Sequence, residues 1–205
     1  MKIFVTGTDT NVGKTVFAAA LAGALHASYW KPVQAGDLEL TDSDRILSLS
    51  GLPPAKILPE AYRLGSACSP HRSAELDGAR IACDDIIPPD IDPLVIEGAG
   101  GLLVPLTRNF LFADLAARWQ LPTILVARTS LGTINHSLLS IHALWLWKIP
   151  ILGIAFVGDE ARDSEEIICA ASGVKCLGRL PLVEPLDRAS LSLAFAENFS
   201  LDDFR

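Results

Sequence analysis

Apolar and polar positions along the chain form blocks that alternate between the period of a strand and the period of a helix. Short apolar runs rich in β-branched residues predict strands at 1–5, 28–33, 93–97, 123–127, 151–157 and 175–180. Helical spacing predicts helices at 16–27, 41–49, 69–76, 112–120, 131–148, 164–172 and 187–198. Residues 52–67 are predicted to be a connection with one short strand. Because most strands are separated by helical crossovers, the pattern predicts an α/β fold with a mostly parallel sheet and helices on both faces.

Composition bounds the class of protein. The chain has 205 residues, half of them hydrophobic and a fifth charged, which favours one compact domain over residues 1–205. The net charge of -7 argues against nucleic acid or an anionic membrane as a partner. The most apolar stretches are too short to cross a bilayer, and the first residues lack a signal-peptide pattern. We therefore expect a cytoplasmic protein whose four cysteines are reduced.

The most informative stretch is Gly-Thr-Asp-Thr-Asn-Val-Gly-Lys-Thr at residues 7–15, between the first predicted strand and helix. Such a turn surrounds phosphate oxygens with backbone N–H groups, while Lys14 adds a positive charge and Thr15 a hydroxyl for Mg²⁺. The standard pattern has glycine six residues before the lysine, where this chain has Thr8. A glycine-rich turn without a ligand is the alternative, but the stretch predicts a nucleotide site.

Three further positions carry charge near predicted strand ends. Lys31 lies near the carboxyl end of the second strand, the edge where open α/β sheets bind ligands, although a surface lysine would fit the same pattern. The acidic segment around Asp44 either caps a helix or supplies a carboxylate to Mg²⁺. Glu97 ends an apolar strand and precedes a glycine-rich turn, which favours a ligand of Mg²⁺ or water over a purely structural role.

The helix predicted at 131–148 has two unusual features. Its first residues, Gly132 to Asn135, offer free N–H groups that suit a carboxylate or phosphate. Residues 143–147 are apolar on nearly every side, which indicates contact with another subunit.

Together these groups predict a nucleoside triphosphatase or a phosphoryl-transfer enzyme with an anionic acceptor. Four segments also match a known family: residues 7–15, Lys-Pro-Val at 31–33, Glu-Gly-Ala-Gly-Gly at 97–101, and Leu-Gly-x-Ile-Asn-His at 131–136. In this order they resemble dethiobiotin synthetase, whose phosphate loop also has threonine where the standard pattern has glycine. The resemblance covers residues 1 to about 158.

The resemblance implies a P-loop NTPase-like fold and an ATP-dependent reaction of biotin synthesis. In this reaction 7,8-diaminononanoate takes up CO₂, supplied with bicarbonate, as a carbamate. ATP phosphorylates the carbamate, and the second amine then closes a cyclic urea with loss of phosphate. The family acts as a homodimer with Mg²⁺, and the helix start of one subunit receives the substrate's carboxylate in the site of the other.

Residue roles follow from the same resemblance. Lys14 and Lys31 match the catalytic lysines, and Thr15, Asp44 and Glu97 match the Mg²⁺ ligands. Nucleotide contacts match Asn11, Val12, Gly13, Lys14, Thr15, Val16, Asp44, Glu97, Gly98, Ala99 and Gly100, and Leu180, Pro181 and Leu182 lie where the base packs. Substrate contacts match Thr10, Lys31, Ala35, Gly132, Thr133, Ile134 and Asn135.

The chain departs from the family pattern at two places. Many members carry a hydroxyl residue at the position of Ala35, so one hydrogen bond to substrate is expected to be missing. No asparagine that would read adenine is found near Gly158, which predicts weak discrimination between bases. Two alternatives remain: an amide-forming synthase, for which 205 residues leave no glutaminase part, and a partitioning or switch ATPase, whose usual second lysine is missing from the loop.

Overall fold

The computed structural model describes residues 1–204, and its centre is a seven-stranded sheet in the order β11-β10-β9-β1-β6-β2-β4. Every strand pair in this sheet is parallel. Its strands are β1 (Lys2–Gly7), β2 (Ser28–Trp30), β4 (Ile57–Leu58), β6 (Leu94–Gly101), β9 (Thr123–Arg128), β10 (Ile151–Val157) and β11 (Cys176–Leu180). Two small sheets accompany it, a parallel pair of β3 (Val33–Ala35) with β5 (Tyr62–Leu64) and an antiparallel pair of β7 (Pro105–Thr107) with β8 (Phe110–Leu111).

Helices cover both faces of the sheet. The α-helices are α1 (Lys14–Ala24), α2 (Asp42–Ser50), α3 (Pro70–Leu76), α4 (Phe112–Trp119), α5 (Thr133–Leu146), α6 (Arg162–Ser172) and α7 (Arg188–Asn198). Short 3₁₀ helices occur at Pro54–Lys56, Cys83–Asp85 and Leu201–Phe204.

Successive side chains of β1 point alternately into two separate hydrophobic cores. Ile3 and Val5 point into the core that contains α1, α2 and α7, whereas Phe4 points into the core that contains α4, α5 and α6. Because successive side chains of a strand point to opposite faces, a fully apolar strand such as β1 requires cover on both sides. The predicted fold class, a mostly parallel sheet with helices on both faces, is confirmed.

Three predicted elements differ in the structure. The strand predicted at 93–97 continues as β6 to Gly101, so Glu97 lies within the strand rather than at its end. The second strand divides into β2 and β3, with Lys31 and Pro32 between them. Proline has no N–H for a sheet ladder, so the chain leaves the main sheet at this point and pairs with β5 instead. The segment 52–67 accordingly contains two short strands, β4 and β5, rather than one.

The strand order brings distant segments to one edge of the sheet. β1 lies at the centre, between β6 and β9, and β2 lies on the far side of β6. The turn after β1, the residues after β2 and the end of β6 therefore open on the same side, at the carboxyl ends of parallel strands.

Candidate active site

The turn between β1 and α1 forms a tight loop. Asn11 and Gly13 both adopt left-handed backbone conformations, with φ of 57° and 91°. A Cβ at Gly13 would lie 2.6 Å from a methyl group of Val157, so only glycine fits where the loop packs against β10. The carbonyl of Gly13 accepts the N–H of Phe17 and starts α1, whose N-terminal end therefore faces the loop.

Lys14 folds back over this loop. Its ammonium group donates a hydrogen bond of 2.6 Å to the carbonyl oxygen of Asp9. Burial lowers the pKa of Lys14 to about 8, although nearby carboxylates, Glu97 above all, oppose the shift. An anionic ligand at the loop would favour the charged form of Lys14, because its negative charge would lie close to the ammonium group.

The loop forms one wall of a cleft of about 760 Å³, a volume typical of a small-molecule site. Much of its lining was predicted from the sequence. The predicted residues that line it are Thr10, Asn11, Gly13, Lys14, Thr15, Val16, Lys31, Ala35, Glu97, Ala99 and Gly100. The lining also contains residues that were not predicted: Gln34, Asp37, Asp42, Arg45, Ala67, Cys68, Ser69, Pro70 and Val104.

A buried network of charged groups lies at the bottom of the cleft. Lys31 is only 4% exposed and forms ion pairs with Asp42 and, at 3.3 Å, with Oε1 of Glu97. Burial alone would lower the pKa of Lys31, but the two carboxylates outweigh it and raise the pKa above its usual value. Burial likewise opposes ionisation of Asp42, yet Lys31 holds the pKa of that carboxyl below its usual range. Lys31 is therefore a fixed positive charge rather than a base.

The hydroxyl of Thr15 connects the two carboxylates. It lies 2.9 Å from Oδ1 of Asp42 and 2.8 Å from Oε1 of Glu97. A hydroxyl has one hydrogen, so it donates to only one of these oxygens at a time. Two carboxylate oxygens and one hydroxyl oxygen thus converge at the first turn of α1, beside the phosphate loop.

Asp44 is not brought to this cluster. Its carboxylate accepts hydrogen bonds from the backbone N–H and the hydroxyl of Thr41, which completes a capping box at the start of α2. These bonds lower the pKa of Asp44. Asp42, two residues earlier in the same turn, lines the cleft instead and contacts Thr15.

Comparison with known proteins identifies the family of the chain. A family model described as an AAA domain matches residues 1–190. A protein of Novosphingobium aromaticivorans named ATP-dependent dethiobiotin synthetase is 58% identical over 200 residues, 98% of this chain and 97% of the relative. A relative of the same name from Rhodopseudomonas palustris BisB18 is 59% identical over 204 residues, 99% of this chain and 98% of the relative. The chain belongs to the ATP-dependent dethiobiotin synthetase family.

More distant structures share the fold of this dethiobiotin synthetase family member. The MinC:MinD cell division complex of Aquifex aeolicus matches with a TM-score of 0.53 at 14% identity, covering 94% of this chain and 85% of that one. A ParA family ATPase of Chlorobium tepidum also matches with a TM-score of 0.53, at 16% identity, covering 95% and 90%. At such identities the likeness concerns the fold alone.

Other residues assigned from the dethiobiotin synthetase family lie outside the cleft. Val12 is buried in the core, and Gly98 lies against the ring of Phe4. Leu180 is the last residue of β11, and its carbonyl accepts the N–H of Gly158, whereas residues 181 and 182 follow the strand. Leu180 itself is buried, and Leu182 is exposed.

The start of α5 also lies away from the cleft of its own chain. Thr133 is buried, with its hydroxyl hydrogen-bonded to the carbonyl of Arg128, whereas Ile134 and Asn135 are exposed.

Within residues 1–204 no helix is both long and apolar enough to cross a membrane.

Two polar residues near the site escaped the sequence analysis. Tyr29 is fully buried, and its hydroxyl donates a hydrogen bond of 2.8 Å to Oε2 of Glu97. Gln34 donates to the carbonyl of Gly36, while its buried Oε1 has no hydrogen-bond partner among residues 1–204. Tyr29 belongs to a short apolar strand, where the pattern indicates core packing and gives no sign of a partner distant in sequence, and Gln34 directly follows the strand predicted at 28–33.

Proposed function

We propose that the protein catalyses the ATP-dependent closure of 7,8-diaminononanoate with CO₂ to dethiobiotin. The observation that carries this proposal is the buried Lys31, held beside the phosphate loop at the bottom of the cleft. Carbamate chemistry adds a second anion beside the nucleotide phosphates, and Lys31 supplies a second positive charge from outside the phosphate loop. Full-length relatives named ATP-dependent dethiobiotin synthetase support the same activity.

In this proposal the loop from Asn11 to Val16 binds the phosphates of ATP. Lys14 would exchange its hydrogen bond to the carbonyl of Asp9 for one to phosphate. The bond to phosphate would be the stronger of the two, because phosphate is negatively charged and the carbonyl is neutral. Lys31 would hold the carbamate, and then its mixed anhydride with phosphate, through a fixed positive charge.

We further propose that Thr15, Asp42 and Glu97 hold Mg²⁺ with the nucleotide. Carboxylate and hydroxyl oxygens are hard ligands of the kind Mg²⁺ takes, and these three converge. Among residues 1–204 no group of three or more His, Cys, Asp and Glu residues could hold a metal. Phosphate and water oxygens would thus complete the ligand set. When bound, the ion neutralises charge that develops on the transferred phosphoryl group.

A homodimer would complete the site. Helix α5 exposes a row of apolar side chains, among them Leu139, Trp145 and Leu146, and Leu131 before it is fully exposed. An exposed apolar surface of this kind marks an interface. We propose that a second copy covers it, and that Gly132, Thr133, Ile134 and Asn135 of one subunit then reach the substrate's carboxylate in the other.

Discrimination between nucleotide bases is proposed to be weak. Gly158 directly follows β10, and a Cβ there would lie 2.3 Å from the hydroxyl of Thr129. Glycine has no side chain that could form a hydrogen bond with the base. Binding a base other than adenine would therefore leave few buried hydrogen-bonding groups of the protein without a partner. Turnover with ATP, CTP and GTP tests this: we expect differences below about a hundredfold, and a larger preference for ATP would contradict it.

The central test is direct formation of product. The purified protein is incubated with 7,8-diaminononanoate, bicarbonate, Mg²⁺ and ATP, and dethiobiotin is detected by mass, with a parallel reaction that lacks the diamine. We expect dethiobiotin, together with phosphate release that depends on the diamine. Hydrolysis of ATP at the same rate without diamine, and no product, would refute the proposal and favour a switch ATPase.

A further inference from the structure

The two oxygens of the Glu97 carboxylate have different partners. Oε1 faces the cleft, where it meets the hydroxyl of Thr15 at 2.8 Å and the ammonium of Lys31 at 3.3 Å. Oε2 faces away and accepts the hydroxyl hydrogen of Tyr29 at 2.8 Å. Glu97 is 1% exposed and Tyr29 is fully buried, so water does not compete for this bond.

The sheet fixes Tyr29 in this position. In the pairing of β2 with β6, Tyr29 lies opposite Val95 and Trp30 opposite Ile96, one residue before Glu97. The ring of Tyr29 belongs to the core beneath α1, together with Val95 and Ile46. A buried phenol requires a hydrogen-bond partner, and its bond to Glu97 is the one that the structure provides.

We propose that Tyr29 is a positioning residue that fixes the Glu97 carboxylate so that Oε1 alone is presented to the metal ion of the bound nucleotide. This inference rests on the proposed role of Glu97 as a ligand of Mg²⁺. Mg²⁺ demands near-ideal octahedral geometry, whereas Ca²⁺ accepts more ligands and often takes both oxygens of one carboxylate. Holding Oε2 on a protein hydroxyl therefore favours Mg²⁺ over Ca²⁺.

The chain offers a matched control, because it has only two tyrosines. The other, Tyr62, accepts the backbone N–H of Ala82 at 2.8 Å and lies in the small sheet of β3 and β5. The variants Tyr29→Phe and Tyr62→Phe each remove one partly or fully buried hydroxyl and retain the ring. They differ in whether that hydroxyl contacts Glu97.

The test measures metal binding in the presence of a non-hydrolysable ATP analogue and without diamine. Mn²⁺ affinity is measured by electron paramagnetic resonance, and Mg²⁺ and Ca²⁺ compete for the site. We expect Tyr29→Phe to weaken Mn²⁺ and Mg²⁺ binding by about tenfold and to lower the preference for Mg²⁺ over Ca²⁺. Tyr62→Phe should bind as the unaltered protein does. Unchanged affinities and preference in Tyr29→Phe, or equal changes in both variants, would overturn the proposal.

A second measurement does not require Tyr29→Phe to fold. In Tyr62→Phe protein, 3-fluorotyrosine labels Tyr29 alone, and its ¹⁹F resonance is recorded with the ATP analogue before and after Mg²⁺. We expect a shift on addition of the metal, and a resonance that does not respond would overturn the proposal. Because neither measurement needs the diamine, their failure is distinguishable from a failure to form dethiobiotin.

Discussion

Replacement of Lys31 by glutamine would remove the positive charge at the bottom of the cleft and leave two carboxylates beside each other. Lys31 pairs with both Asp42 and Glu97, and Glu97 is buried. Removing one member of a buried ion pair costs about 3–5 kcal/mol, because the remaining charge loses its partner. The side chain of Asp42 is 26% exposed, so water compensates in part, and we take about 3 kcal/mol as the expected loss of stability.

For a chain of this length, such a loss lowers Tm by roughly 10 °C. The matched control is Lys175→Gln, since Lys175 forms an exposed ion pair with Asp203 at 2.7 Å. Exposed pairs contribute about 0–1 kcal/mol, so this variant should melt within about 3 °C of the unaltered protein. Thermal unfolding of both variants, without nucleotide, measures the difference. Similar Tm values for the two would refute the claim that Lys31 stabilises the site.

The same variant tests the proposed chemistry. Loss of one preorganised charge at a reacting anion lowers kcat by about 10²- to 10³-fold. Lys31→Arg should recover part of the stability and less of the activity, because a planar guanidinium does not occupy the place of a compact ammonium. Dethiobiotin formation measures the activity, and unchanged turnover in Lys31→Gln would refute the assigned role.

Three further predictions concern protonation, the metal and the interface. Since the pKa of Lys14 is lowered to about 8, the free protein loses this charge above pH 8. Nucleotide binding without Mg²⁺, followed by calorimetry, should be about tenfold weaker at pH 9 than at pH 7, and equal affinities would contradict it. Asp42→Asn should weaken Mg²⁺ binding about tenfold or more, whereas Asp44→Asn should mainly weaken the helix cap and lower stability by about 1 kcal/mol. Calorimetry measures the affinity for Mg²⁺ and thermal unfolding measures the stability, and the reverse pattern would contradict this prediction. Leu146→Glu places a charge on the exposed face of α5 and should yield monomers by light scattering, and an unchanged mass would count against this interface.

Local signals in the sequence were sufficient for much of the site. The spacing of Gly13, Lys14 and Thr15 after an apolar strand predicts a phosphate loop, since the conformation depends mainly on neighbouring residues. Lys31 and Glu97 were placed at the same edge because parallel strands end together, and the structure has both in the cleft.

Contacts that depend on how the helices and strands pack together could not be predicted from local signals in the sequence. Asp42 and Asp44 occupy the same helical turn. The spacing of Thr41 and Asp44 is that of a capping box, so a local signal assigns Asp44 to the helix cap. The position of α2 beside α1 decides that Asp42 meets Thr15. The sequence pattern around Tyr29 predicts only a core residue of a short strand. Its hydrogen bond could not be predicted, because Glu97, the partner of its hydroxyl, lies on another strand.

The position of β6 between β1 and β2 also affects how the chain folds during synthesis on the ribosome. Lys2 pairs with Leu94 on one edge of β1, and Phe4 pairs with Thr123 on the other. Both edges of β1 therefore stay open until β6 and β9, which come much later in the chain, have been synthesised. Open edges of apolar strands attract other chains, which favours binding by chaperones or aggregation while synthesis continues. The nucleotide loop, attached to this strand, gains its acidic partner Glu97 only when β6 inserts.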